Sequence, residues 1–114
     1  MITVYGIANC DTVRKARDFL ASQGLEHVLH DFKRSGIERA RLEAWCERCG
    51  WERVINRAGQ TFRKLDPALR EGLDRERAIA LMLAQPSMIK RPVLDLGDRC
   101  LLGFDAAAWR EALT

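Results

Sequence analysis

Two short apolar runs flank one amphipathic helix at the start of the chain, and that spacing restricts the fold more than any other feature. Ile2-Thr3-Val4-Tyr5-Gly6-Ile7 reads as a buried strand. Ala8-Asn9 breaks it. Asp11 to Leu20 follows with Val13, Ala16, Phe19 and Leu20 on one stripe, the 3.6-residue pattern of a helix packed on one face. Gly24 stops that helix, and Glu26-His27-Val28-Leu29-His30-Asp31-Phe32 reads as a second strand. A strand, a helix of about three turns and a second strand form a right-handed βαβ unit, so these strands should run parallel.

The middle of the chain reads as helical. Lys33-Arg34-Ser35-Gly36 is expected as a loop, and Glu38 to Cys49 carries helical spacing with Ala40, Leu42, Trp45, Cys46 and Cys49 apolar. Gly50 ends that helix, and Trp51 to Asn56 adds a short one. Arg57 to Lys64 is expected as an irregular basic loop, and Asp66-Pro67 opens a turn or short helix. Asp74 is placed to cap a helix from Arg75 to about Ala84, with Ala78, Ile79, Leu81 and Met82 inward and Pro86 ending it. Pro92 to Leu96 and Arg99 to Gly103 are two apolar runs split by Gly97-Asp98, a hairpin signal. Asp105 then caps a last helix, Ala106 to Leu113. The prediction is an α/β domain, β-α-β then β-β-α, with a helical insert at about 36–88. It contains no repeat, linker or low-complexity tract, so residues 1–114 are expected as a single domain.

A length of 114 residues suits one domain with a modest core. A net charge of +3 is compatible with an anionic ligand and too small to argue for nucleic acid. No apolar run approaches the ~20 residues that span a bilayer, and the N-terminus lacks a signal peptide's charged and apolar regions. A cytoplasmic protein with no membrane partner is the expectation. Four cysteines in such a reducing compartment are expected to be free, catalytic or metal-bound, not a disulfide framework.

Cys10 carries the chemistry. It lies between the first strand and the first helix, where the unpaired N–H groups of the first turn point outward. That positive end favours thiolate over thiol, and the thiolate is the nucleophile. The alternative is a structural cysteine that ends a strand. Thr12 could bond the Cys10 sulfur, but helix capping is the expected role of both Thr12 and Asp11. Cys46-Glu47-Arg48-Cys49 has no partner pair for zinc and lies late in its helix, so both cysteines read as helix-face residues. Cys100 reads as core or edge packing in a strand. His27 and His30 point to opposite faces of theirs, so no metal site is expected. Trp45, Trp51 and Trp109 read as core and interface packing.

The order β-α-β, β-β-α, with a cysteine after the first strand and a proline opening the third, resembles the thioredoxin fold with its mixed four-stranded sheet. Tyr5-Gly6-Ile7-Ala8-Asn9-Cys10-Asp11-Thr12 and Met88-Ile89-Lys90-Arg91-Pro92-Val93 resemble the two motif regions of the ArsC-like family. That family holds glutaredoxin-coupled arsenate reductases and Spx-type transcription regulators. Gly50-Trp51-Glu52, Asn56-Arg57, Phe62-Arg63-Lys64-Leu65-Asp66 and Leu101-Leu102-Gly103-Phe104 are similar to its YffB-type branch, so the resemblance covers essentially the whole chain.

The resemblance implies that Cys10 is the catalytic cysteine and that Arg91 and Arg57 bind an anion beside it. Asn9 and Thr12, on either side of Cys10, are further candidates for binding substrate or anion, and the resemblance implies a cis peptide bond before Pro92. The arsenate reductases have a third arginine where this chain has Leu102-Gly103-Phe104, which argues against arsenate specificity. Position 13 is Val13, so the Cys-x-x-Cys switch of the Spx-type regulators is absent. The expected function is a thiol reductase with one catalytic cysteine, no bound cofactor, and glutathione or glutaredoxin as reductant. Its substrate would be a small oxyanion or a mixed disulfide. The alternatives are an arsenate reductase and a non-enzymatic, Spx-like partner of RNA polymerase.

Overall fold

The computed structural model describes residues 1–114. The chain runs β1 (Ile2–Gly6), α1 (Asp11–Ser22), β2 (His27–Asp31), α2 (Phe32–Ser35), α3 (Arg39–Cys49), α4 (Trp51–Val54), α5 (Gln60–Arg63) and α6 (Pro67–Arg70). It continues through α7 (Arg75–Ala84), a 3-10 turn at Pro86–Met88, β3 (Val93–Asp95), β4 (Cys100–Leu102) and α8 (Ala106–Leu113). These elements form two units. One joins residues Met1–Ser35 to Arg91–Thr114, and the other is Gly36–Lys90. No helix is long and apolar enough to cross a membrane.

The first unit is built on a four-stranded sheet of order β2-β1-β3-β4. β1 and β2 are parallel, with Ile2 opposite His27 and Gly6 opposite Asp31. β3 runs antiparallel to β1, pairing Val93 with Tyr5, and β4 runs antiparallel to β3. This is the mixed, thioredoxin-like sheet expected from the order of elements. The hairpin turns at Gly97, whose φ of 89° suits a residue without a Cβ, and Leu96 N–H donates to the Arg99 carbonyl at 2.9 Å.

Helix α1 buries Val13, Ala16 and Leu20, spaced three and four apart on one face. Val4, Leu94 and Trp109 join Ala16 and Leu20 in one apolar cluster, bordered by Phe19, Leu29, Leu101 and Phe104. The Trp109 indole N–H donates to the Gly103 carbonyl at 3.1 Å, so this nearly inaccessible ring keeps its polar atom satisfied. Asp105 caps α8 by accepting from the N–H groups of Ala107 and Ala108 at 3.0 and 3.2 Å.

The second unit is helical. Leu42, Trp45 and Cys46 of α3 and Ala78, Ile79 and Met82 of α7 are buried. Asp66 and Asp74 cap α6 and α7 through the N–H groups of Ala68 and Arg77. A single antiparallel bridge, Ile55 to Ile89, fastens the unit's two buried connecting segments. Asn56 N–H donates to Met88 and Lys90 N–H to Val54 at 2.7 and 2.8 Å across it.

Several local expectations are corrected. Residues 33–36 do not form a plain loop: Phe32–Ser35 is a helical turn seated by the buried Phe32. The stretch 57–64 is not irregular throughout, because Gln60–Arg63 coils around the buried Phe62. In both cases one buried aromatic, invisible to periodicity over four residues, organises the turn. Ala40 is exposed and Leu81 only half-buried, so the apolar stripes of α3 and α7 are narrower than their sequences suggest.

Candidate active site

Cys10 is the N-cap of α1. Its backbone is extended, with φ −146° and ψ 122°, and its carbonyl accepts from Arg14 N–H at 2.9 Å. No side chain caps this helix. The first-turn N–H groups therefore remain open, in contrast to those of α6, α7 and α8. The Cys10 thiol is free and half-buried.

Two neighbours set the geometry of the approach to Cys10. Gly6 ends β1, and a Cβ there would lie 2.7 Å from Cγ2 of the buried Val13. Only glycine lets the first turn of α1 press this close to the strand. Asp31, at the end of β2, accepts from Ala8 N–H at 3.4 Å and from Lys33 N–H at 2.8 Å. Its carboxylate ties the loop before Cys10 to the sheet. Sequence periodicity does not single out Asp31; its signal is an acidic residue at the carboxyl end of a parallel strand.

Asn9 and Thr12 flank Cys10 and are exposed. The expected capping by Asp11 and Thr12 is not found. A capping side chain must come from the residue before the first turn, and that residue is Cys10 itself. Asp11 instead pairs with Arg14 at 3.1 Å, an exposed contact of little energetic weight.

The Arg91–Pro92 peptide bond is cis. Continuing the β1–β3 register by one residue sets Pro92 opposite Gly6, at the end of β1 from which the chain leads to Cys10. Pro92 is buried, and its carbonyl accepts from Gly103 N–H at 2.8 Å. Cys10, with Asn9 and Thr12 beside it, therefore shares one end of the sheet with Arg91 and Pro92.

The arginines differ sharply in how they are engaged. Only Arg75 and Arg91 are half-buried; the other arginines are exposed. Arg75 is bound to Glu76 at 3.1 Å, whereas the Arg91 guanidinium makes no ion pair or hydrogen bond within the chain. A half-buried guanidinium with unused donors favours an external anion. Arg14 and Arg17 line a cavity of about 260 Å³ with Ala8, Val13, Asp18 and His27. There Arg14 is bound to Asp11, and Arg17 Nε–H donates to His27 Nε2 at 3.2 Å. With Asp18 also on the wall, that cavity is close to electrically balanced.

Arg57 stands in the second unit. It follows Asn56 in a turn closed by Gly59 N–H to the Asn56 carbonyl at 3.4 Å. Its guanidinium carbon lies 5.4 Å from the centre of the Trp51 ring, and it has no carboxylate partner. Trp51, expected as core packing with Trp45 and Trp109, is half-buried and supports this cation.

The remaining cysteines do not resemble Cys10. Burial pushes the Cys46 thiol up from its ordinary value; Glu43 adds to that and Arg75 opposes it. No group of three or more histidine, cysteine, aspartate or glutamate residues could hold a metal ion.

Cys10, on an open helix terminus, and the unengaged Arg91 thus stand at the same end of the sheet. The same fold is found in known proteins. The solved structure of a YFFB protein superposes with a TM-score of 0.96, 53% identity and full coverage of both chains. An arsenate reductase (ArsC) related protein from Brucella melitensis is 42% identical with a TM-score of 0.78, over 99% of this chain and 94% of that one. The global transcriptional regulator Spx of Streptococcus pyogenes serotype M3 is 28% identical over 100% of this chain and 86% of the regulator. The model of the ArsC family matches residues 5–112, which take in the Cys10 loop, the cis-proline segment and the whole helical insert. The chain belongs to the ArsC family.

Proposed function

We propose that this protein is a thiol reductase that uses Cys10 as its single catalytic residue and glutathione or glutaredoxin as reductant. The observation that carries this reading is the free, half-buried Cys10 thiol at the uncapped start of α1. The Cys10 thiolate attacks the glutathione sulfur of a mixed disulfide RS–SG. The RS–SG bond breaks, a Cys10–SG disulfide forms, and RS⁻ leaves and takes up a proton. A second glutathione thiolate then attacks the glutathione sulfur of Cys10–SG. It releases the Cys10 thiolate and glutathione disulfide, so in the net exchange RS–SG + GSH → RSH + GSSG the RS sulfur is reduced by as much as the incoming glutathione sulfur is oxidised. Glutathione carries two carboxylates, and the unengaged guanidinium of Arg91 suits one of them. Arg57 is the second anion-binding residue in this reading. Asn9 and Thr12 border the thiol as polar contacts for substrate. Arsenate is the alternative oxyanion substrate. No resident cofactor is needed.

The test is thiol transfer from a glutathionylated small-molecule disulfide. Cys10→Ser is expected to abolish turnover and leave the fold intact by circular dichroism. Unchanged turnover in that variant sinks the proposal. The similarity to Spx supports a second reading, an interaction protein that binds RNA polymerase without catalysis. Capture of polymerase subunits by the full chain, undiminished in Cys10→Ser, would favour it.

A further inference from the structure

Arg57 is mounted more firmly than an exposed arginine needs to be. Its turn is closed by the Gly59–Asn56 bond, and Asn56 is itself fastened to Met88 at 2.7 Å. A Cβ on Gly59 would meet Asn56 Nδ2 at 3.0 Å, so the turn is closely packed on its inner side. Trp51 supplies the outer support, with the guanidinium carbon 5.4 Å from its ring centre. Tryptophan is the aromatic residue that attracts a cation most strongly. The surrounding helices carry exposed carboxylates at Glu47 and Glu52, yet none pairs with Arg57. A guanidinium held against a ring keeps its charge and its N–H edges, so the mount spends none of the donors that recognise an oxyanion.

We propose that Trp51 is a positioning residue for Arg57: its ring holds the guanidinium in place for an anionic ligand, and occupation of Arg57 changes the environment of the ring. This rests on the reading of Arg57 as an anion-binding residue. The ligand class is an oxyanion or a carboxylate, met either as an inorganic ion or as part of a thiol such as glutathione. Trp45 and Trp109 have 0% and 1% relative exposure, so Trp51 is the tryptophan able to report the event.

The experiment titrates the full chain with sodium arsenate and, separately, with reduced glutathione. Tryptophan emission and calorimetry are followed together. The Cys10→Ser background removes any contribution from covalent chemistry. A saturable emission change is expected with at least one probe, and the probe that saturates tells an inorganic oxyanion from a thiol carboxylate. Trp51→Phe is expected to lose the emission change and to bind nearly as well as the parent. Trp51→Leu is expected to bind about two- to five-fold more weakly, the range a surface cation–π contact supplies. Arg57→Lys keeps the charge, loses the planar fork and is expected to bind more weakly than the parent. Arg57→Ala is expected to abolish the emission change.

Parental affinity in Trp51→Leu, an emission change that survives Arg57→Ala, or no saturable binding of either probe overturns the proposal. If Trp51→Leu does not fold, Arg57→Ala still decides it, since an emission change that survives there shows that the Trp51 ring does not sense occupation of Arg57. Failure of the thiol reductase reading is separable. Arg57-dependent binding in a chain without thiol transfer removes that reaction and leaves the role of Trp51. An active chain whose binding ignores both residues does the reverse.

Discussion

Helices α1 and α8 lie in the same unit and contribute to the same apolar cluster, yet they begin in opposite ways. Asp105 closes the start of α8 with two hydrogen bonds to its backbone. Cys10 occupies the equivalent place on α1 and makes none. The backbone at both caps is extended, with φ of −135° and −146°, so the difference lies in the side chain and not in the geometry. The acceptor at the α8 cap satisfies N–H groups that are costly to leave unpaired; α3 also starts without a side-chain cap, so what sets α1 apart is the thiol at its open cap. An acceptor in place of Cys10 would use the donors and the positive end that a thiolate can exploit. Loss of a cap is a stability concession of the kind expected where function needs an open site.

The largest effect on that comparison comes from removing the sulfur. Cys10→Ser is expected to lower thiol transfer by at least about a hundred-fold, since sulfur is the nucleophile in every step proposed. The same substitution installs a good capping residue. Thermal unfolding should therefore show a chain as stable as the parent or more stable, by up to about 1 kcal/mol. Loss of both activity and stability would mean that Cys10 has a structural role that the open cap does not show.

The next effect tests the seat of α1. Gly6→Ala places a Cβ against Val13, whose side chain is β-branched and buried and cannot swing clear. A destabilisation of about 1–3 kcal/mol is expected from the overpacking, measured by denaturant titration. Below that comes Asp105→Ala, which removes the cap of α8 and is expected to cost about 1 kcal/mol. Thiol transfer per folded molecule should be unchanged, because α8 begins far along the chain from the Cys10 loop. A neutral Asp105→Ala would break the comparison, since it would show that caps in this unit carry no weight.

These contrasts also show what the sequence could and could not reveal. Asp74 and Asp105 are readable as caps because capping is local: the acceptor and the donors it serves lie within three residues. The strand–Cys10–helix order is readable for the same reason, and the β-α-β, β-β-α pattern carries the sheet topology with it. The turns at Phe32–Ser35 and Gln60–Arg63 were not readable, because each depends on one aromatic buried by distant chain. The engagement of the arginines was equally hidden. Arg91 and Arg75 look alike in sequence, and only the folded chain shows Arg75 bound to Glu76 while Arg91 has no partner.

The smallest expected effect contrasts the two free thiols. Cys46 lies late in α3, away from the positive helix end, and is buried. Burial disfavours its thiolate, so the folded chain holds the proton more tightly than the unfolded chain does. As pH climbs past the ordinary value of 9.0, the unfolded state deprotonates first and gains free energy relative to the folded state. The contribution is therefore complete below that value and is lost as pH rises toward the raised folded value. Arg75 opposes the shift, which keeps the effect small. Denaturant titrations at about pH 7 and about pH 10 measure it in the parent and in Cys46→Ala. Cys46→Ala is expected to lose less stability between the two, because every other group is common to both chains and cancels. Equal losses would place Cys46 in a more solvated setting than its position in α3 implies. A buried thiol late in a helix and a half-buried thiol at a helix start would then no longer be distinguished by environment, and the case for Cys10 would rest on its turnover alone.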